Sequence, residues 1–141
     1  MKLILTLLAL FIGQFSIAQN DTIEHYKLPE LGDLNFPHGN FELQEAHKSD
    51  LQIIARHMLK HKELGILIIG QTDDTGPNRD NTIIGMLRAN AIKDYLVGVG
   101  VEEFRISAAS QGEDNRLFND TTDFARAENR RVAMRFYYLI Q

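Results

Sequence analysis

The feature that most restricts how this chain can fold is Ile66-Leu67-Ile68-Ile69-Gly70, a short, continuous, β-branched apolar run with helical periodicity on both sides of it. Such a run reads as a strand buried on both faces. Before it, Leu51, Ile54, Ala55, Met58 and Leu59 recur at the i, i+3, i+4, i+7, i+8 spacing and predict an amphipathic helix over residues 44–62. After it, a polar loop over residues 71–80 leads to a second helical pattern over residues 82–97, closed by Gly98 and Gly100. Shorter alternating segments frame this centre. Leu34 and Phe36 alternate with Asp33 and Asn35 until Pro37 and Gly39 stop them. Phe104, Ile106 and Ala108 alternate in a third strand, a polar loop covers residues 111–123, and residues 125–130 suit a turn or two of helix. Val132, Met134, Phe136, Tyr138 and Ile140 alternate in a last strand. The expected fold is an α/β two-layer sandwich, a small mixed four-stranded sheet with its helices on one face, in β-α-β-α-β-β order. Alternation alone leaves open whether the last strand lies at an edge or in the centre.

The amino terminus follows a different logic. Lys2 precedes a run in which only Thr6 is polar from Leu3 to Ile12, and Ser16-Ile17-Ala18 closes it with small residues at the first and third places. A basic start, about ten apolar residues and a small-x-small end predict a secretory signal peptide cleaved after Ala18. The expected organisation is thus a signal peptide at 1–18, an extended lead-in at 19–32 and one domain at 33–141. Roughly 120 residues remain after the leader, enough to bury about two thirds of the unfolded surface. No second long apolar segment follows, so direct membrane insertion is not expected. A formal charge of −4 argues against a sequence-independent grip on nucleic acid, which needs clustered Lys and Arg. The absence of cysteine excludes a disulfide scaffold, a thiolate nucleophile, a Cys-ligated zinc and a lipid attached through cysteine.

One residue conflicts with the core pattern. On a wheel of about 100° per residue with Ile84 at zero, Leu87, Ala91, Tyr95, Ile92 and Leu96 run from about −60° to 120°, and Arg88 falls among them at about 40°. A guanidinium cannot give up its charge, so it must snorkel to the helix end or meet a partner in a partly dry setting. Helical side chains lean towards the N-terminus, so its head should reach the loop before the helix. That loop begins at the carboxyl end of the buried strand, where open α/β sheets place ligand crevices. Asp73 stands there. A carboxylate and a guanidinium at one rim can receive a zwitterion, the first accepting from an ammonium and the second forking onto a carboxylate. A direct Asp73–Arg88 salt bridge, pinning loop to helix, is the structural alternative.

Gly70-Gln71-Thr72-Asp73-Asp74-Thr75-Gly76, Asn81, Arg88-Ala89, Tyr95-Leu96, Gly100-Val101, Arg105-Ile106, Gly112-Glu113 and Arg126-Ala127-Glu128-Asn129-Arg130-Arg131-Val132 follow in an order that resembles the OmpA C-terminal-like peptidoglycan-binding domain. The resemblance runs from about Leu34 to the C-terminus. It implies a periplasmic module, peripheral to the cell wall or outer membrane, that binds the peptidoglycan stem peptide without covalent chemistry and without a cofactor. Residue by residue, it implies that Asp73 holds the ammonium and Arg88 the carboxylate of diaminopimelate. Asn81 would order the loop between them, Arg130 would lie near the same pocket, and Thr75 and Phe36 would complete the ligand-binding set. The chain departs from the family pattern at Gln71 (usually His), Ile84-Gly85 (usually Leu-Ser), Ser110 (usually Gly) and Ala125 (usually Gly), and Pro37-His38 follow Phe36 where an Asp is usual. Relatives of this domain usually come fused to a membrane anchor, and the residues left after the leader have room for none, so the expectation here is a stand-alone soluble module. An outer-membrane or envelope protein would then be a further partner. The alternative is a non-catalytic structural or interaction subunit of an envelope complex with a degenerate pocket.

Enzymatic chemistry is not expected. Asp73 and Asp74 are adjacent in one loop rather than on facing elements, and no His is placed to activate Ser107 or Ser110. His57 and His61 have the i, i+4 spacing of a metal pair but lie opposite the Leu51–Met58 stripe with no third ligand in the pattern, so they read as a solvated face.

Overall fold

The computed structural model describes residues 30–139. The expected signal peptide at 1–18, most of the lead-in, and Ile140 lie outside the described residues.

The apolar run at 66–70 becomes the middle of β2 (Leu64–Gln71), which carries strands on both sides. It pairs parallel with β3 (Ile106–Gly112), Ile66 opposite Ile106, and antiparallel with β4 (Arg131–Tyr138), Ile68 opposite Met134. A two-residue β1 (Leu34–Asn35) pairs antiparallel with the start of β4, giving the sheet order β1-β4-β2-β3. The last strand is therefore central. Parallel neighbours need a crossover, and α2 (Asn78–Gly98) supplies it between β2 and β3, while α1 (Glu45–Lys60) joins β1 to β2. A single 3₁₀ turn at Glu103–Arg105 precedes β3 and a short α3 (Asp123–Asn129) precedes β4.

The core lies between one sheet face and the two long helices. Ile66 and Ile68 of β2, Ile106 of β3, and Val132 and Met134 of β4 meet Leu51, Ile54, Ala55 and Met58 of α1 and Ala89, Ile92 and Leu96 of α2. Leu67 and Ile69, on the other sheet face, are only half-buried, so β2 is fully dry on one face rather than on both. Leu59 and Leu87, expected in the helical stripes, are exposed at their edges, and Phe104 projects outward from the 3₁₀ turn instead of starting the third strand. The second helix begins at Asn78, four residues before the apolar pattern does, because its first turn is polar.

The buried residues of α2 are Asn81, Gly85, Arg88, Ala89, Ile92 and Leu96. On the same wheel they centre at about 90° instead of near 20°. The reason is a close approach of backbones. A Cβ at Gly70 would stand 1.8 Å from the Gly85 carbonyl oxygen, and a Cβ at Gly85 would meet Ser110 Oγ at 2.3 Å. Glycine on both elements lets α2 settle on β2, and the helix turns so that Gly85 rather than Leu87 faces the sheet. Arg88 stays inside the buried face.

Two further buried groups hold the frame. Arg105 donates from Nε to the Leu64 carbonyl and from Nη2 to those of Met58 and His61, tying the end of α1 to the start of β2. His47 accepts from the Gln44 amide at Nδ1 and donates from Nε2 to the Asn35 carbonyl, with its ring 4.6 Å from that of Phe36. That tautomer follows because an amide only donates and a carbonyl only accepts.

Candidate functional site

Beyond Gly70 the chain leaves the sheet but stays buried, with Gln71, Thr72 and Asp73 all enclosed. The Thr72 amide still bonds the Gly112 carbonyl at 2.8 Å, so Asp73 starts from a fixed backbone. Its Oδ1 accepts from the Thr75 amide at 3.0 Å and from the Thr75 hydroxyl, an Asx-type turn. Its Oδ2 accepts from Arg130 Nη1 at 2.8 Å. Asn81 Nδ2 reaches back from the first turn of α2 to the Asp73 carbonyl at 3.3 Å and to Glu113 Oε2 at 2.8 Å. Burial alone would raise the Asp73 pKa, but the Thr75 hydroxyl, Arg130 and the Thr75 amide together hold it below the usual carboxylate value.

Arg88 is only 1% exposed and makes no ion pair with Asp73 among the described residues. The expected Asp73–Arg88 alternative is thus replaced by an Asp73–Arg130 pair. Arg88 donates instead to three carbonyls: Nε to Asn40 at 2.8 Å, Nη1 to Gln71 at 3.1 Å and Nη2 to Pro37 at 3.1 Å. Its guanidinium carbon lies 5.3 Å from the centre of the Phe36 ring. Two of these carbonyls come from the 37–40 turn, closed by the Asn40 amide on the Pro37 carbonyl and by Gly39 at φ +65°. Burial, then the like charge of Arg130, lower the Arg88 pKa to about 10, so it stays cationic at neutral pH.

Asp73, Arg88, Asn81, Thr75 and Arg130 converge on one pocket of about 200 Å³, with Ile84 as its apolar wall. Phe36 does not line it. Its ring packs behind Arg88, and its carbonyl accepts from Arg130 Nε at 3.1 Å, so it supports both cations from underneath. His38 stands at the rim, its Nδ1 3.8 Å from Asp73 Oδ2 and 3.4 Å from the Thr75 hydroxyl. The Thr72 hydroxyl, buried in the pocket wall, has no protein partner among the described residues.

The donor and acceptor count shows what the pocket can take. A guanidinium has five N–H donors, of which Arg88 has used three, and an ionised carboxylate has about four acceptor positions, of which Asp73 has used three. Two donors and one acceptor thus remain on residues that line the same small cavity. The carbonyl caps of Arg88 could not be read from side-chain chemistry, since backbone atoms leave no mark on residue type. The loop partners of Asp74 were also missed: Arg126 Nε at 2.9 Å and Arg116 Nη1 at 3.4 Å. His57 and His61 are half-buried and stacked at 4.6 Å, with His57 against Phe136 and His61 on Glu63, rather than on a solvated face.

The result is a two-layer α/β domain with a charged pocket at the carboxyl end of a central strand, the place where open α/β sheets set their ligand crevices. Residues 35–130 match the OmpA family, and the chain belongs to that family. It is 29% identical over 112 residues to the peptidoglycan-associated lipoprotein of Buchnera aphidicola, covering 79% of this chain and 64% of that protein. It is 32% identical over 101 residues to outer membrane porin F of Pseudomonas aeruginosa, covering 71% of this chain but only 29% of the porin. Among solved structures, the peptidoglycan-associated lipoprotein of Burkholderia pseudomallei superposes with a TM-score of 0.73 at 27% identity, covering 74% of this chain and 89% of that one. The chain therefore spans less than two thirds of the length of these curated relatives. No helix among the described residues is long and apolar enough to cross a membrane.

Proposed function

We propose that this domain binds peptidoglycan in the periplasm through the diaminopimelate of the stem peptide, without covalent chemistry. The observation that carries the reading is Arg88, a buried cation capped by three neutral carbonyls, which has two donors to spare and lines the same pocket as Asp73. A ligand carboxylate on Arg88 and a ligand ammonium on Asp73 Oδ2 would satisfy both. Thr75 fixes the loop carboxylate, Asn81 holds the Asp73 backbone carbonyl, and Arg130 keeps the carboxylate ionised. Export behind a cleaved leader and a peripheral place at the cell wall or outer membrane accompany this reading, which is supported by relatives named for peptidoglycan association and for the outer membrane. Titration of the isotope-labelled protein with free meso-diaminopimelate tests it. Shifts confined to residues 72–75, Asn81 and the Arg88 Nε–H are expected, and absence of shifts at millimolar ligand would overturn it.

A further inference from the structure

The loop carries two consecutive carboxylates, and the structure treats them differently. Asp73 is matched by one cation, Arg130. Asp74 lies between two, Arg126 on Oδ1 and Arg116 on Oδ2. Arg126 and Arg130 are one turn apart at the end of α3, the Arg130 amide bonding the Arg126 carbonyl at 3.1 Å, so their side chains leave the helix about 6 Å apart. The two ion pairs thus form adjacent rungs, and the outer rung has one positive charge in excess.

A carboxylate between two cations also occurs at Glu102, between Lys62 and Arg105. There the guanidinium is 1% exposed and gives its other donors to the carbonyls of Leu64, Met58 and His61. That pair is a brace. Arg116 and Arg126 differ on both counts: their side chains are 27% and 32% exposed, and Asp74 is the partner found for each among the described residues. Asp123, three residues before Arg126, adds a field but no ion pair there. Arg126 lies one helical turn from Arg130, which lines the pocket, and pairs with the residue next to Asp73, so it stands beside the pocket without lining it.

We propose that Arg116 and Arg126, held on opposite oxygens of Asp74, form an anion subsite beside the pocket that takes a second free carboxylate of the same ligand; this rests on the pocket reading given above. The ligand class is an acidic peptide with a free carboxylate one residue from the group held by Arg88. A γ-linked glutamyl residue preceding diaminopimelate has that chemistry, because the γ-linkage leaves its α-carboxylate free. Amidation of that carboxylate removes the charge and should be sensed here.

Calorimetric titration of the purified protein with three probes tests the subsite: free meso-diaminopimelate, the tripeptide L-Ala-γ-D-Glu-meso-diaminopimelate, and the same tripeptide amidated at the glutamyl α-carboxyl. The wild type should prefer the free acid over the amide about three- to fivefold, the scale of a solvent-exposed charge pair. The double substitution Arg116→Gln/Arg126→Gln should abolish that preference while leaving affinity for free diaminopimelate within about twofold. Equal wild-type affinity for the two tripeptides overturns the subsite whatever the variants do. A double variant that loses all three probes alike assigns the arginines to bracing the loop and overturns it too. No binding of free diaminopimelate to the wild type would instead remove the pocket reading, and the subsite with it.

Discussion

At the residue scale, the pocket is organised around two charges that are stabilised in different ways. Asp73 is held by a turn and by Arg130, which keep its folded pKa below the ordinary carboxylate value. A group with a depressed folded pKa contributes stability that is present above its unfolded pKa, near 4, and is lost as pH falls through the folded value. Asp73→Asn should therefore flatten the loss of stability on acidification below about pH 4, measured by urea unfolding at pH 3 and pH 7. An unchanged acid slope would remove Asp73 from the account. Arg88 is held by backbone instead. Arg88→Ala leaves the carbonyls of Pro37, Asn40 and Gln71 short of a donor. Each unsatisfied buried acceptor costs about 1–3 kcal/mol, and water entering the vacated space offsets part of it, so the variant should lose about 2–4 kcal/mol in denaturant melts. Arg88→Lys should recover less than half of this, since an ammonium cannot fork onto three carbonyls.

At the element scale, the close approach of α2 to the sheet, where Gly85 meets Gly70 of β2 and Ser110 of β3, explains two departures from the family pattern as one exchange. The family usually has Ser on the helix and Gly on the strand; here Gly85 faces Ser110, so the hydroxyl has moved across the contact. Gly85→Ser alone should cost about 1–3 kcal/mol by overpacking against Ser110. Adding Ser110→Gly should bring the protein back to within about 1 kcal/mol of the wild type, a coupling that a double-mutant cycle by thermal or urea melts would read. Additive losses would refute the exchange. The same contact shows what the sequence could and could not reveal. Arg88 within an apolar stripe was legible, because a permanent charge among Ile84, Ile92 and Leu96 has to be accounted for. The orientation of the stripe was not, since Gly85 and Asn81 are buried for reasons of backbone approach and loop tying that hydrophobicity does not encode. The order of elements along the chain was legible, yet the central place of β4 in the sheet was not, because an alternating strand pairs equally well on one side or two. Arg130 was expected only near the pocket; that it, rather than Arg88, pairs with Asp73 depends on the end of α3 meeting the loop, a contact 57 residues apart in the chain.

At the scale of the whole molecule, an acidic chain gathers four of its nine arginines, Arg88, Arg130, Arg126 and Arg116, around Asp73 and Asp74 at one end of the sheet. A shallow site with two charged anchors should bind a single ligand weakly, because ordering and desolvation oppose hydrogen bonds worth about 1.5–3 kcal/mol each. A polymer that repeats the ligand raises the effective concentration, so retention on an intact wall should exceed what the affinity for free ligand suggests. Binding to soluble diaminopimelate should accordingly weaken with added salt while sedimentation with wall fragments weakens less steeply, as parallel titrations from low to physiological ionic strength would show. The most direct test of the central claim is co-sedimentation of the purified protein with isolated sacculi, comparing wild type with Asp73→Asn, which removes one charge and almost no volume. The account predicts that the wild type pellets with the wall and that Asp73→Asn stays largely in the supernatant at unchanged fold by circular dichroism. Equal sedimentation of the two, or a wild type that does not sediment, would contradict it.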